Sequence, residues 1–177
     1  DGVAWARRDL PVDGTADPGV EPAGIAVADG TVVVTGFDGA SDGPPLVWLV
    51  PVGGAPVAVE ADGFPAGSRL SQVIAGPAGF VAAAAPSGEG TSPPPIWVSA
   101  DGSAWNPVLD PFEGDTTVTG LLGSPSGYVA VVAGEDGNRF GLWTSEDGVE
   151  WTDRADQDSV FTLLDGTAGD LYADLSG

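Results

Sequence analysis

Short apolar runs alternate with clusters of glycine, proline, serine and aspartate along almost the whole chain. The runs at residues 31–35, 80–84 and 128–133 have the length of a strand, and turn-forming residues bound them on both sides. No stretch keeps apolar residues at the i, i+3, i+4, i+7 spacing of an amphipathic helix. The pattern therefore predicts an all-β protein.

The apolar runs belong to an internal repeat. A glycine opens a strand at Gly30, Gly79 and Gly127, and more weakly at Gly169, with spacings of 49, 48 and 42 residues. A tryptophan follows the first three glycines after 18, 18 and 16 residues, at Trp48, Trp97 and Trp143. Two markers in step at a period of 40 to 50 residues are typical of a propeller or solenoid.

Each repeat is predicted to hold four strands. The first strand is expected at residues 24–28, 71–75 and 117–122, and the fourth at 55–59, 105–109 and 151–154. The predicted fold is a β-propeller segment of four-stranded antiparallel blades over residues 1–177, with blades at 20–60, 68–109 and 115–154 and part-blades at 1–12 and 159–177. Since propellers close with about four to eight blades, we expect a fragment or an incomplete ring, whose open blade edges favour self-association.

Two segments share the pattern Ser-x-Asp-Gly-x-x-Trp, and we call them the Asp-Gly turns. They are residues 99–105, with Ser99, Asp101, Gly102 and Trp105, and residues 145–151, with Ser145, Asp147, Gly148 and Trp151. An aspartate accepts hydrogen bonds from nearby backbone N–H groups, and the glycine after it adopts positive φ without strain. These residues are therefore predicted to hold hairpins, and no catalytic residue is assigned. A truncated copy stands at Asp1, Gly2 and Trp5, while the corresponding segment at 47–56 keeps only Gly53.

The Asp-Gly turns resemble the Asp-box of sialidase-like (BNR) β-propellers, in a form one residue shorter than the family's Ser-x-Asp-x-Gly-x-x-Trp. The resemblance implies a secreted or cell-surface protein. It does not imply sialidase activity, because the box lies away from the active site in those enzymes. The arginine triad, the Tyr–Glu pair and the Arg-Ile-Pro type motif of that site have no counterpart in this sequence.

The amino-acid composition argues against several classes of partner and of catalysis. The chain carries 5 arginine and lysine residues against 26 acids, for a net charge of −21, which argues against a nucleic-acid partner. Histidine and cysteine are absent, so catalysis by a histidine base or a thiol is excluded. The apolar runs are too short for membrane insertion as a helix. No cofactor is predicted, although Asp153, Asp156 and Asp158 offer the oxygen ligands that calcium prefers.

The sequence thus predicts a non-catalytic extracellular or cell-surface propeller module that binds or scaffolds a protein or a carbohydrate. Two alternatives stay open. The chain could be a fragment of a glycoside hydrolase whose catalytic residues lie in missing blades, or a self-assembling surface-layer or appendage subunit.

Overall fold

Twelve strands are present in the part of the chain that the computed structural model describes, which is residues 7, 9–11, 20–38, 45–60, 63–65, 67–85, 96–112, 114, 116–134 and 140–154. They are β1 (Val20–Ala28), β2 (Thr31–Asp38), β3 (Leu46–Pro51), β4 (Val57–Val59), β5 (Arg69–Gly76), β6 (Gly79–Ala85), β7 (Ile96–Ser99), β8 (Asn106–Val108), β9 (Thr116–Ser124), β10 (Gly127–Gly134), β11 (Phe140–Ser145) and β12 (Thr152–Asp153).

The strands form three sheets of four, each a simple antiparallel meander. The orders are β1-β2-β3-β4, β5-β6-β7-β8 and β9-β10-β11-β12, here called the first, second and third sheets. The first strands of successive sheets, β1, β5 and β9, lie next to one another. The all-β prediction and the four-stranded antiparallel blades are therefore confirmed.

The core lies between the faces of successive sheets. Strand β6 illustrates why, because its apolar run is buried on both sides. Phe80 and Ala82 pack toward the first sheet in a cluster with Val33, whereas Val81 and Ala83 pack toward the third sheet. Alternate side chains of a strand point to opposite faces, so the continuous run supplies both interfaces of the middle sheet.

A β-bulge interrupts the first strand of each sheet at the same place in the repeat. The register shifts around Ala23, Ser71 and Thr119, which stand 48 residues apart. The hydroxyls of Ser71 and Thr119 donate to the carbonyls of Ala83 and Val131, at 3.3 and 3.1 Å. The strands β1, β5 and β9 start four, two and one residues before their predicted first residues. They are longer than predicted because strand pairing continues on both sides of the bulge.

The fourth strands are shorter than predicted, at two or three residues each. In the second and third sheets the predicted strand included Trp105 or Trp151. Each of these residues instead precedes its strand, because its indole turns back onto the hairpin.

The two predicted part-blades fall largely outside the described residues. Of the part-blade at 1–12 only residues 7 and 9–11 are described, and the part-blade at 159–177 is not described. Among the described residues, none forms a helix with the length and apolarity that a membrane span requires.

Candidate functional site

The Asp-Gly turn of the second sheet joins β7 to β8 and is held by its own side chains. Ser99 Oγ accepts a hydrogen bond from Gly102 N at 2.8 Å. Asp101 Oδ1 accepts from the backbone N and the hydroxyl of Ser103, at 2.8 and 2.7 Å. The indole N–H of Trp105 donates to the Gly102 carbonyl at 3.0 Å. The side chains of the turn thus form hydrogen bonds with backbone N–H and carbonyl groups of the same turn.

The Asp-Gly turn of the third sheet, between β11 and β12, repeats this arrangement. As in the second sheet, the glycine N–H donates to the serine hydroxyl, here Gly148 N to Ser145 Oγ at 2.8 Å. The indole N–H of Trp151 donates to the Gly148 carbonyl at 2.9 Å. Asp147 Oδ1 accepts from the backbone N of Val149 and Glu150 at 2.8 and 2.9 Å, and from Ser145 Oγ at 3.0 Å. Three donors to one carboxylate oxygen make this the more fully bonded turn.

Both aspartates are held in the ionised form. The Ser103 hydroxyl, and then the Ser103 N–H, lower the pKa of Asp101. The N–H groups of Glu150 and Val149 lower the pKa of Asp147 most strongly. A carboxylate that accepts several hydrogen bonds is stabilised in its charged state. Neither side chain is therefore suited to act as a general acid at neutral pH, which would need a raised pKa.

The glycine of each Asp-Gly turn packs closely on the preceding sheet. Both glycines have positive φ, +84° at Gly102 and +79° at Gly148. A Cβ would lie 2.5 Å from Val33 at the first and 2.7 Å from Val81 at the second. In each case the neighbours belong to a cross-strand pair, Val33 with Leu49 and Val81 with Val98. Each turn therefore also forms part of the interface between sheets.

The corresponding segment of the first sheet, residues 50–56, is here called the first-sheet turn. Gly53 keeps the positive φ of the motif, at +74°. Gly54 N donates to Pro51 O at 2.9 Å, which closes the turn without a serine or an aspartate. No heavy atom within the described residues lies within 4 Å of a Cβ built at Gly53. The truncated copy at Asp1, Gly2 and Trp5 lies outside the described residues.

Two phenylalanines that the sequence analysis did not single out complete the packing of the tryptophans. The Phe64 ring, 7% exposed, lies 5.1 Å from the Trp97 ring and 5.8 Å from the Trp105 ring. Phe112 occupies the same place 48 residues later, with its ring 5.3 and 5.5 Å from the two tryptophans of the third sheet. The signal was available as a phenylalanine that recurs at the repeat period just after the fourth strand.

Other long-range hydrogen bonds tie neighbouring sheets together. Gln72 bonds to the backbone of β9 with both amide atoms, since Oε1 accepts from Leu121 N at 2.8 Å and Nε2 donates to Thr119 O at 3.3 Å. The hydroxyl of Tyr128 donates to Gly79 O and accepts from Ala78 N, at 3.0 and 3.1 Å. Burial raises the pKa of Tyr128. Its contacts are those of a packed strand residue.

One end of the sheets, which we call the loop rim, is where β2, β6 and β10 end and β1, β5 and β9 begin. The connecting residues 39–44, 86–95 and 135–139 lie outside the described residues. At the described part of the rim, the exposed Arg69 guanidinium lies 5.1 Å from the centre of the Phe37 ring. Glu21, also exposed, pairs with Phe37 across the strands. The loop rim thus presents aromatic and charged groups side by side.

The opposite end, the turn rim, carries the Asp-Gly turns and a pocket of about 250 Å³ on the third sheet. Arg154 Nε donates to Thr144 Oγ1 at 2.9 Å within this pocket. The pocket is also lined by Val129 and by three acidic side chains, Glu146, Asp147 and Glu150. We refer to it below as the turn-rim pocket.

The calcium prediction involves residues that are only partly described. Asp153 is exposed in β12, and Asp156 and Asp158 lie outside the described residues. Where the structure does describe the chain, acidic side chains do not gather in groups of three or more that could hold a metal ion.

Four-stranded antiparallel sheets that stack face to face, with their first strands adjacent, define the chain as a β-propeller. A solved structure of YCF48 bound to D1 peptide is similar to it, with a TM-score of 0.52 and 18% identity over 89% of this chain. The chain spans about half of that protein, since the alignment covers 47% of it. No protein-family model and no curated protein sequence matches this chain.

Proposed function

We propose that this chain is a protein-binding propeller module that takes an extended peptide segment of its partner along the loop rim. The observation that carries the proposal is the likeness of the fold to a propeller whose solved structure contains a bound peptide. Rim loops of a rigid scaffold are a common place for binding residues. The Phe37–Arg69 pair and the strand ends around it would supply the first contacts.

The internal contacts favour binding over catalysis. In each Asp-Gly turn the Oδ1 atom of the aspartate accepts hydrogen bonds from donors within the turn, and the lowered pKa of each carboxyl suits a hydrogen-bond acceptor. The tryptophans favour a protein over a carbohydrate partner. Of the five tryptophans that the structure describes, Trp48, Trp97 and Trp105 are buried, and Trp143 and Trp151 are partly buried against Phe112, so protein contacts take up much of their ring surface and leave little to stack on a sugar.

The charge of the chain indicates what kind of segment it binds. A net charge of −21 on 177 residues creates a strongly negative field around the module. Such a field speeds the approach of a cationic partner and disfavours an anionic one. We therefore expect the partner segment to carry a net positive charge, and its affinity to fall as salt is added.

Two further points of the proposal rest on the resemblance of the Asp-Gly turns to the Asp-box. The turns would be a form of that box shortened by one residue, and the protein would act outside the cytoplasm or at the cell surface. Localisation of a tagged full-length protein in its source cells tests the second point.

The binding proposal is tested by selecting a random peptide library against the chain and measuring the affinity of the enriched peptides. We expect cationic sequences whose Kd rises with salt. Glu21→Lys at the loop rim should weaken binding about tenfold, which is about 1.4 kcal/mol. Glu150→Lys is the matched control, since it makes the same charge change at an exposed residue of the turn rim. Equal losses for the two variants would show a field effect without a site at the loop rim, and failure to enrich any peptide would refute peptide binding.

A further inference from the structure

The fourth strands β4, β8 and β12 form outer edges of the three sheets. One residue of each strand lies opposite the tryptophan of the third strand, and these residues are Ala58, Pro107 and Asp153. A proline or a charged side chain at a sheet edge hinders the pairing of another strand with it. The edges of the second and third sheets carry such a residue at this place, whereas the edge of the first sheet carries an alanine.

The backbone of Ala58 points to the open edge of the first sheet. Val52 N donates to Gly30 O at 3.0 Å, so the polar backbone groups of Val52 face β2. Since hydrogen-bonded and non-hydrogen-bonded pairs alternate along antiparallel strands, the polar backbone groups of Trp48 also face β2. Ala58, the cross-strand partner of Trp48, therefore points its N–H and C=O away from β3. In the described part of the chain, no strand lies beyond β4 in this sheet.

The side chains of β4 are apolar and open to solvent. Val57 is 56% exposed, and Ala58 is exposed as well. At the places equivalent to Val57, the other two edges have the polar residues Asn106 and Thr152. The chain has no charged residue from 43 to 59, although its net charge is −21. Of the three described fourth strands, β4 is thus the one that lacks proline, charge and polar side chains.

We propose that β4 pairs with β4 of a second copy of this chain, in an antiparallel contact centred on Ala58. The first sheets of the two copies then join into one continuous sheet. The contact is isologous, which is the arrangement of the common twofold dimer. The strand is symmetric about Ala58, because Val57 and Val59 flank it. Each Val57 therefore lies opposite the partner's Val59, and the two Ala58 residues exchange a pair of N–H···O hydrogen bonds.

Charge favours a second copy over the cationic segment expected at the loop rim. Within β4 there is no carboxylate with which such a segment could pair. Two copies repel each other at long range through their net charge, so they associate where the contact brings no like charges together. In the proposed register Glu60, the first charged residue after β4, lies opposite the partner's Pro56. The contact is separate from the loop rim and does not depend on peptide binding there.

Sedimentation velocity of the full chain over a range of protein and salt concentrations tests the pairing, with Ala58→Pro as the disrupting variant. Proline removes the N–H that Ala58 offers to the partner. The first sheet loses no hydrogen bond, because this N–H faces away from β3, and Pro107 occupies the equivalent place in β8. We expect a dimer whose association constant rises with salt, as screening weakens the repulsion between copies. The association constant should be at least about tenfold lower in the variant.

Asp153→Pro is the matched control, because it places the same residue at the equivalent position of the third sheet. It should leave the dimer unchanged. Urea unfolding monitored by tryptophan fluorescence checks that both variants are folded. A parent chain that stays monomeric under all these conditions would overturn the proposal. A dimer that survives Ala58→Pro, or one that weakens as salt is added, would also overturn it.

Amide hydrogen exchange tests the pairing in the parent chain, without any substitution. The N–H of Ala58 should exchange rapidly in a dilute sample and become protected as the protein concentration rises, since the second copy supplies its acceptor. The N–H of Asp153 occupies the equivalent position of the third sheet and should exchange rapidly at every concentration. Exchange at Ala58 that does not depend on concentration would contradict pairing at β4.

Disulfide formation tests the symmetry of the contact. The chain has no cysteine, so Ala58→Cys introduces a single thiol. The Cα atoms of a hydrogen-bonded antiparallel pair are about 5.5 Å apart, a separation that a disulfide can span. Oxidised Ala58→Cys should therefore form a covalent dimer with itself, whereas Asp153→Cys should not. An Ala58→Cys dimer that resists cross-linking would show that the copies meet elsewhere and would refute the β4 contact.

Discussion

Replacement of Gly102 by alanine should destabilise the protein through two separable effects. The residue has φ +84°, and an L side chain in that region costs about 1–2 kcal/mol. The new Cβ would also lie 2.5 Å from Val33 Cγ2 and 2.8 Å from Leu49 Cδ2. Val33 is fully buried and β-branched, so it has little freedom to move away. Overpacking of this kind costs about 1–3 kcal/mol, which gives a total of about 2–5 kcal/mol.

Gly67→Ala separates the two effects. Gly67 has nearly the same φ, +79°, but no described heavy atom lies within 4 Å of its Cβ position. It should therefore show the backbone cost without the clash. Urea unfolding monitored by tryptophan fluorescence measures both variants, provided that the m-value is unchanged. If Gly102→Ala is no more destabilising than Gly67→Ala, the close packing of the turn on the first sheet does not contribute to stability, and the reasoning fails.

Two further predictions concern the third sheet. Because folding lowers the pKa of Asp147 from its ordinary 3.8, its stabilising effect is complete above that pH and is lost as the pH falls through the native pKa. Asp147→Ala should thus lower the free energy of unfolding by about 1 kcal/mol at neutral pH, as measured by urea unfolding. The difference between the parent chain and the variant should shrink as the pH falls toward about 2, and a difference that stays unchanged would contradict this. Phe112→Ala, which removes ring contacts at 5.3 and 5.5 Å, should cost about 3–5 kcal/mol. Phe140→Ala, at a 68% exposed ring, should cost under about 0.5 kcal/mol, and similar losses for both phenylalanines would contradict the packing argument.

The sequence predicts those parts of the fold that depend on residues close together in the chain. The Asp-Gly turns are an example, because Ser99, Asp101, Gly102 and Trp105 satisfy one another within seven residues. The strands also follow from local pattern, since turn residues bound each apolar run. Both features repeat at a fixed period, which made the number of strands in each sheet predictable.

Contacts between sheets were not predictable in the same way. Nothing next to Gly102 in the sequence indicates that it rests on Val33, which precedes it by 69 residues. The bulge at Ser71 was missed because a bulge changes the partner of a residue without changing the apolar pattern of its strand. The turn-rim pocket shows the same difficulty, since its walls come from all four strands of the third sheet and from the β9–β10 and β11–β12 turns.

The packing of each glycine on the preceding sheet has a consequence for how such a chain can change in evolution. The second repeat carries both halves of the contact, Gly102, which packs on the sheet before it, and the Val81–Val98 pair, on which Gly148 of the next repeat packs. Duplication or deletion of one whole repeat therefore joins surfaces that already match. In such an array each unit depends mainly on its nearest neighbours, so the number of units can vary while the type of junction between them stays the same.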